Sequence, residues 1–476
     1  LKPGVTDPKA TLRIFLASKG TVDLEHVSLF PVDTWKGHEN GLRKDLAQAL
    51  ADIKPGVFRF PGGCIVEGTD LATRYDWKKS VGPVENRPLN ENRWEYTFPH
   101  RFYPDYFQSY GLGFFEFFQL SEEIGAEPLP VLSCGLSCQF QNSDAEAHVA
   151  VCDLDSYVQD ALDLIEFANG DVTTKWGKLR ADMGHPAPFN LKFIGIGNED
   201  MITPVFVERF KMIFDAVKAK YPEVTVIGTT GPFYEGTDYE VGWDLATELG
   251  VPMVDEHYYV EPGWMIHNQE YYDHYDRSKA KVYLGEYAAH LPGRPNNVET
   301  ALAEALYLTA VERNGDVVEM TSYAPLLAKE GHTQWNPDLI YFNNAEVKPT
   351  VGYYTQQMYG QNAGTEYLSS TVKLNNGWDA VKKRVGVSVV KDANTGDYIV
   401  KLVNMLPVEV SSQVKLDGVT LVNPSATKTI LTGDPKDRGA KPASSDFKVE
   451  GNDFSYSMPA YSFTVIRIHQ NIEKKK

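Results

Sequence analysis

Between residues 40 and 360, short apolar runs alternate with stretches of helical period, and no other feature restricts this chain's fold as strongly. The stretch from Gly41 to Ile53 places Leu42, Leu46, Ala49, Leu50 and Ile53 on one helical face. After Lys54-Pro55-Gly56 comes the run Val57-Phe58-Arg59-Phe60, closed by Pro61-Gly62-Gly63. The rhythm repeats with a helix around Phe114, Phe117, Phe118 and Ile124 before a strand over Glu127 to Ser133. A helix through Tyr157, Ala161, Leu164 and Ile165 precedes the strand Leu191 to Ile196, and one through Phe206, Phe210, Ile213 and Val217 precedes Val224 to Gly228. Val251 to His257, Lys281 to Gly285 and Val317 to Ser322 complete the set, the last preceded by a helix holding Leu302, Ala305, Leu306 and Thr309. Strands this short and apolar suit a parallel sheet covered on both faces. The alternatives are a doubly wound open sheet and a (β/α)₈ barrel. No Gly-x-Gly-x-x-Gly turn or Walker A pattern follows the early strands, which favours the barrel. The reading finds seven strands where a barrel needs eight. Because a helix precedes Val57 to Phe60, that strand is counted as the second and the first is expected upstream.

Beyond residue 365 the helical period disappears. Val/Thr/Tyr-rich runs such as Arg384 to Val390, Tyr398 to Val403 and Ser462 to Ile468 recur between turns, with a hairpin-type turn at Asn394-Thr395-Gly396-Asp397. The expected organisation is an α/β (β/α)₈ TIM-type barrel over 36–365 and an antiparallel β-sandwich over 366–470. Residues 1–35, with strand-like runs at Thr11 to Leu16 and Val22 to Phe30, are expected to be a sandwich remnant or the first barrel strand. Residues 471–476 are expected to be a disordered tail.

Composition narrows the function. Lys and Arg number 46 against 64 Asp and Glu, a net charge of −18 that repels phosphate backbones and argues against nucleic acid. No apolar run is long enough for a bilayer, so no membrane partner is expected. The four cysteines are Cys64, Cys134, Cys138 and Cys152, too few for a disulfide framework. Cys134 and Cys138 lack a second suitably spaced pair, so no metal site is expected. The 8 Trp, 26 Tyr and 23 Phe, many beside Gly, Pro and Asn, suit a neutral ligand such as a sugar. No leader is legible and the compartment stays open, with a secreted or periplasmic setting slightly favoured.

In a barrel, side chains just past the C-terminal ends of the strands face the active site. Gly197-Asn198-Glu199 follows the fourth strand and Gly285-Glu286-Tyr287 the seventh, counting from the missing first. These strands stand on opposed parts of the ring, so the two carboxylates can face each other across its mouth. Such a pair suits glycoside hydrolysis: one carboxyl gives its proton to the leaving oxygen while the other attacks the anomeric carbon. Retention needs the carboxyls about 5–5.5 Å apart, and inversion about 6.5–9.5 Å.

The pieces Phe58-Arg59-Phe60-Pro61-Gly62-Gly63-Cys64, Gly197-Asn198-Glu199, Asp255-Glu256-His257-Tyr258-Tyr259 and Gly285-Glu286-Tyr287 resemble glycoside hydrolase family fifty-one, the retaining α-L-arabinofuranosidases. Trp335-Asn336-Pro337-Asp338-Leu339-Ile340-Tyr341-Phe342 resembles the segment after the eighth strand in the plant-like and gut-bacterial branch. The resemblance implies that Glu199 is the general acid/base and Glu286 the nucleophile, with Asn198 on the sugar's 2-hydroxyl. It implies that Tyr258 or Tyr259 holds the nucleophile, one side chain pointing in and the other out, and that His257 supports the site by hydrogen bonding. Arg59 is expected either to bridge the carboxylates from below and keep Glu286 ionised or to form a structural pair. Cys64, standing where many relatives carry Asn, is expected beside the sugar or as a small buried residue. Trp77 is a candidate sugar-stacking residue, with Trp335 and Trp264 on the aglycone side. The implied substrate is an arabinose-containing polysaccharide or oligosaccharide, with neither metal nor organic cofactor. The alternatives are an endo-β-1,4-glucanase or xylanase on the same scaffold, and a carbohydrate-binding pseudoenzyme.

Family members carry a first barrel strand ahead of everything seen here, and residues 1 to 35 resemble the tail of a sandwich inserted after it. The expectation is either that Val27 to Phe30 serves as the first strand or that the chain is N-terminally shortened. Activity would then be reduced or dependent on a missing segment, and open edges would invite self-association into a homo-oligomer.

Overall fold

The computed structural model describes the chain apart from residues 1–3, 6, 8, 25–26, 97–106, 141–146, 420, 422–424 and 471–476; the expected tail at 471–476 lies outside the described residues. Seven parallel strands pair in chain order: β1 Val57–Phe60, β2 Glu127–Leu132, β3 Phe193–Ile196, β4 Thr225–Thr229, β5 Met253–Val260, β6 Lys281–Ala289 and β7 Val318–Tyr323. They are the seven read from the sequence. Helix α1 Lys44–Ile53 precedes β1, helices α2 Phe114–Ile124, α3 Asp155–Asn169, α4 Lys175–Asp182, α5 Pro204–Lys220, α6 Thr237–Leu249, α7 Pro262–His267 and α8 Val298–Arg313 connect the strands, and α9 Val351–Gly360 follows β7.

The strand interior is filled by Val66, Leu129, Val131, Ile227, Met253 and Tyr283, so the barrel is a packed core rather than a pore. Around it the helices bury their apolar faces, as in the Phe206, Phe210 and Phe214 stack on α5. β1 and β7 approach each other but share no pairing, so the ring is closed except for one slot. A cavity of about 1480 Å³ fills the mouth and continues down that slot. Glu199, Tyr259 and Glu286 line its upper end; Ile53, Glu127 and Asp316 line its lower end.

The strands expected within residues 1–35 are not formed. Residues 11–16 and the described residues of 22–30 carry no ladder, and Phe15, Val27 and Leu29 are 80%, 56% and 68% exposed. Strand-prone residues become a strand only where a neighbouring edge completes their hydrogen bonds, and this segment lies against none. Regular structure starts where Thr34 bridges to Arg43, just before α1.

The C-terminal strands are β8 Glu366–Leu368, β9 Val385–Lys391, β10 Tyr398–Asn404, β11 Val410–Lys415, β12 Ser425–Thr432, β13 Ala443–Phe447, β14 Asp453–Met458 and β15 Ser462–His469. Six form one antiparallel sheet in the order β8-β9-β10-β15-β12-β13, and β11 pairs with β14. Val400, Leu402, Phe454, Met458 and Ile466 fill the space between them. The larger sheet also packs on α8, which explains why that helix is apolar on nearly every side and buried from Thr300 to Val311. At this contact the buried Lys401 is paired with Glu312, which also accepts a hydrogen bond from Ser388.

Candidate active site

The site is assembled from the ends of β1, β3, β5 and β6. After Ile196 the chain turns at Gly197, and Asn198 and Glu199 leave the barrel rim. The turn is held by Asp200, whose Oδ2 accepts from the Asn198 N–H at 2.8 Å, and by Thr229, whose hydroxyl donates to the Asn198 carbonyl. On β6 a register shift occurs against β5: Glu256 is opposite Leu284 and His257 opposite Glu286, leaving Gly285 as the extra residue. A Cβ at position 285 would lie 1.9 Å from Asp255 Oδ1, so only glycine permits this bulge. The two glutamates thereby face one another. A carboxylate oxygen of Glu199, one of Glu286 and a ring nitrogen of His257 lie within 4.8 Å of one another. Both glutamates border the cavity.

The strand period decides the tyrosines. Asp255, His257 and Tyr259 point into the barrel; Glu256 and Tyr258 point outward. Tyr259 donates to Glu286 Oε2 at 2.6 Å. Tyr258 instead meets Tyr272 and Tyr307 through its hydroxyl, at 2.9 Å each, and does not reach the site. Its neighbour Glu256 accepts from Tyr272, Tyr275 and Trp243 in the same outer cluster. Trp264 packs there too, against Tyr234 and Tyr258, and so is not on the aglycone side.

His257 is fully buried. Its Nδ1 is 3.0 Å from Glu199 Oε1 and 3.7 Å from Glu286 Oε2, and its Nε2 is 3.2 Å from Asp255 Oδ2. Burial opposes its charge, but the Glu286 and Asp255 carboxylates outweigh burial and hold its pKa up at about 10. Arg59 donates from Nη1 to Glu286 Oε1 and from Nη2 to Asn198 Oδ1, both at 2.8 Å, and lies 3.6 Å from Asp255. It therefore pairs with Glu286 and Asp255 and does not bridge to Glu199. Burial raises the pKa of Glu286, but the charges of His257 and Arg59 and the Tyr259 hydrogen bond bring it below the usual carboxylate range.

Asn198 is fully buried: Oδ1 accepts from Arg59, and Nδ2 donates to Glu67 Oε2 at 2.9 Å and faces Cys64 Sγ at 3.8 Å. Cys64 borders the cavity with its Sγ 3.9 Å from Glu199 Oε2. Trp335 lines the cavity beside Tyr259 (ring centroids 5.3 Å apart) and Trp94 (5.9 Å). Trp77 is elsewhere. It is buried between α2, α3 and α4 against Phe114, Phe167 and Trp176, with its indole N–H on the Asp160 carbonyl. Its loop folds back as a helical turn onto the outer layer, so its apolar area is spent on packing and not on a ligand.

Residue reading missed Glu67, Asp255 as the shared partner of Arg59 and His257, and Gln139, which donates to the Glu199 carbonyl. Glu67 could have been found, since it stands just past the end of β1 where the barrel rule places functional side chains. Burial pushes its carboxyl pKa well up, and likewise that of Asp200, to about 7.

Two family descriptions match the chain: "Alpha-L-arabinofuranosidase 1 domain" over residues 49–277 and "Alpha-L-arabinofuranosidase C-terminal domain" over 269–462. An extracellular exo-α-L-arabinofuranosidase of Streptomyces chartreusis is 44% identical over 75% of this chain and 43% of its own length. α-L-Arabinofuranosidase 1 of Arabidopsis thaliana is 36% identical over 91% of this chain and 60% of its own. α-L-Arabinofuranosidase A of Aspergillus kawachii is 31% identical over 95% of this chain and 68% of its own. Among solved structures, the arabinose-bound MgGH51 α-L-arabinofuranosidase superposes with a TM-score of 0.81 at 31% identity, over 92% of this chain and 68% of that one. An arabinose complex from Thermotoga maritima, at 18% identity and a TM-score of 0.68 over 90% of each chain, shares the fold. The chain thus spans about half of the length of the first two relatives, 43% and 60%.

Proposed function

This chain belongs to the family fifty-one α-L-arabinofuranosidases, and from that premise we propose that it removes terminal α-L-arabinofuranosyl residues from arabinose-containing glycans with retention of configuration. The observation that carries the reading is the approach of Glu199 and Glu286 within 4.8 Å on the wall of one cavity. That spacing suits direct attack by one carboxylate and leaves no room for the water that inversion places between the two. Removal of terminal residues is supported by the exo-acting description of the Streptomyces relative. No observation favours an endo-acting glucanase or xylanase, or a binding protein without catalysis.

In the proposed reaction Glu286 is the nucleophile, its charge sustained by Arg59 and its oxygen aimed by Tyr259. Glu199 supplies a proton to the departing glycosidic oxygen as the Glu286–C1 bond forms. It then takes a proton from the water that releases the sugar. His257 hydrogen-bonds Glu199 and lies 3.7 Å from Glu286, so its positive charge stands between the two carboxylates. Asn198, clamped by Arg59 and Glu67, supports the floor beneath them.

Proton NMR of the first turnovers of an aryl α-L-arabinofuranoside tests this reading. The α-anomer is expected first. Initial release of the β-anomer would reject the double displacement. Cleavage of soluble xylan or glucan with no action on the arabinofuranoside would reject the substrate class.

A further inference from the structure

Behind the carboxylate pair, at the ends of β1 and β2, lies a second cluster, of which the proposed reaction uses only one Glu67 oxygen, as a clamp on Asn198. The sulfurs of Cys64 and Cys138 and a carboxylate oxygen of Glu67 lie within 4.8 Å of one another. Cys138 and Glu67 are buried, 0% and 1% exposed, whereas Cys64 borders the cavity. Glu67 Oε2 is engaged by Asn198, but its Oε1 has no hydrogen-bond partner, a costly arrangement for a carboxylate away from water. Arg93 is the one cation against the cluster among the described residues, its Nη2 3.2 Å from Cys138 Sγ.

We propose that Cys64, Cys138 and Glu67 form a binding site for a thiophilic divalent cation such as zinc or cadmium, and that the bound ion inhibits the neighbouring carboxylate pair. Two sulfurs and a carboxylate oxygen are a donor set for zinc-like ions, whose bonds of about 2.0–2.3 Å bring ligand atoms to roughly the spacing seen here. Charge closes as well. Two thiolates and a carboxylate carry three negative charges, which a divalent ion together with Arg93 offsets. The sequence hides this arrangement because its cysteines leave two different barrel strands and show no short metal-ligand spacing. The route in is the cavity that Cys64 borders. Inhibition follows from position. Cys64 Sγ is 3.9 Å from Glu199 Oε2 and both side chains line the cavity, so an ion on that sulfur lies against Glu199 and competes with the substrate for its carboxylate oxygen.

The test titrates the full chain with cadmium, following stoichiometry by calorimetry and thiolate ligation by its ultraviolet charge-transfer absorption. One ion per chain with a thiolate band is expected. Cys138→Ser is expected to abolish the band, and Glu67→Gln, which preserves shape, to weaken binding by about tenfold or more. Cys152→Ser, at an exposed thiol outside the cluster, is expected to bind as the parent does. Binding without a thiolate band would mean surface carboxylates only and would overturn the site, as would a band that survives in Cys138→Ser. If Cys138→Ser does not fold, Glu67→Gln decides: unchanged affinity there rejects the site. The binding experiment stands apart from the proposed hydrolysis, and the inhibition rests on it. Arabinofuranosidase turnover should fall with the same midpoint as ion binding, and magnesium, a hard cation, should not reproduce the loss. Full binding with undiminished turnover would overturn the inhibitory role alone.

Discussion

The Tyr259 hydroxyl donates to Glu286 Oε2 at 2.6 Å, although the two residues come from neighbouring strands and the identical side chain beside it, Tyr258, faces the opposite way. A hydrogen bond to a charged acceptor contributes about 1.5–3 kcal/mol. Tyr259→Phe is therefore expected to lower kcat/KM by roughly 10- to 100-fold. It should also move the acidic limb of the pH profile upward, because this bond helps to keep Glu286 ionised. Tyr258→Phe should leave that limb in place. A pH–rate series on an aryl arabinofuranoside reads both variants.

The two carboxylates should fail in different ways. Glu286→Ala is expected to lose turnover altogether, because it removes the attacking oxygen. Glu199→Ala should retain the first step on substrates with acidic leaving groups and lose about 10²–10⁴-fold on poor ones. Azide should restore its turnover and yield the arabinosyl azide, identified by mass spectrometry. Absence of rescue would remove Glu199 from the acid/base role.

Gly63 stands where a side chain cannot. A Cβ there would lie 2.5 Å from Glu286 Oε1 and 2.8 Å from Asn198 Oδ1. Gly63→Ala is expected to cost about 1–3 kcal/mol of stability by overpacking and to displace Glu286 enough to depress kcat. Denaturant unfolding together with steady-state kinetics measures both effects.

His257 links stability to pH. Its pKa is held up at about 10 in the folded protein against an ordinary 6.5. Below about pH 6.5 the ring is protonated whether the chain is folded or unfolded, and its ion pairs contribute in full. Between there and pH 10 only the folded state keeps the proton, so this contribution, on the order of a few kcal/mol, is lost as pH rises. Urea midpoints from pH 6.5 to 10 should fall more steeply for the parent than for His257→Gln. Parallel slopes would show that the ring is not charged in the fold.

Trp77 and Trp335, both offered by the sequence as contacts to a sugar chain, separate in the structure. Trp77→Ala, in the layer between α2, α3 and α4, is expected to cost about 3–5 kcal/mol of stability with little change in KM. Trp335→Ala, on the cavity wall beside Tyr259, is expected to raise KM with a smaller change in stability. Thermal unfolding and Michaelis kinetics on both variants distinguish them.

The seven barrel strands and both carboxylates were legible in the sequence because the signals are local. Parallel strands buried on two faces must be short and apolar, and a barrel puts its chemistry just past their C-terminal ends. That was enough to single out Glu199 and Glu286. The failures share one cause. Thr11 to Leu16 has the composition of a strand, but pairing depends on an edge that no local pattern reveals. The Trp77 loop has the look of a sugar-binding loop, yet its path inward is set by helices distant in the chain.

The order of the seven barrel strands and the strand-end placement of the two glutamates were thus determined by the sequence alone, through residue periodicity. Tertiary structure decided which tyrosine turns inward, that Arg59 serves Glu286 and Asp255 rather than both catalytic candidates, and that Cys64 meets Cys138. Alternation along a strand says that neighbouring side chains diverge but not which one faces the barrel axis. That choice, like every contact between separate strands, is made only when the ring closes and fixes the register.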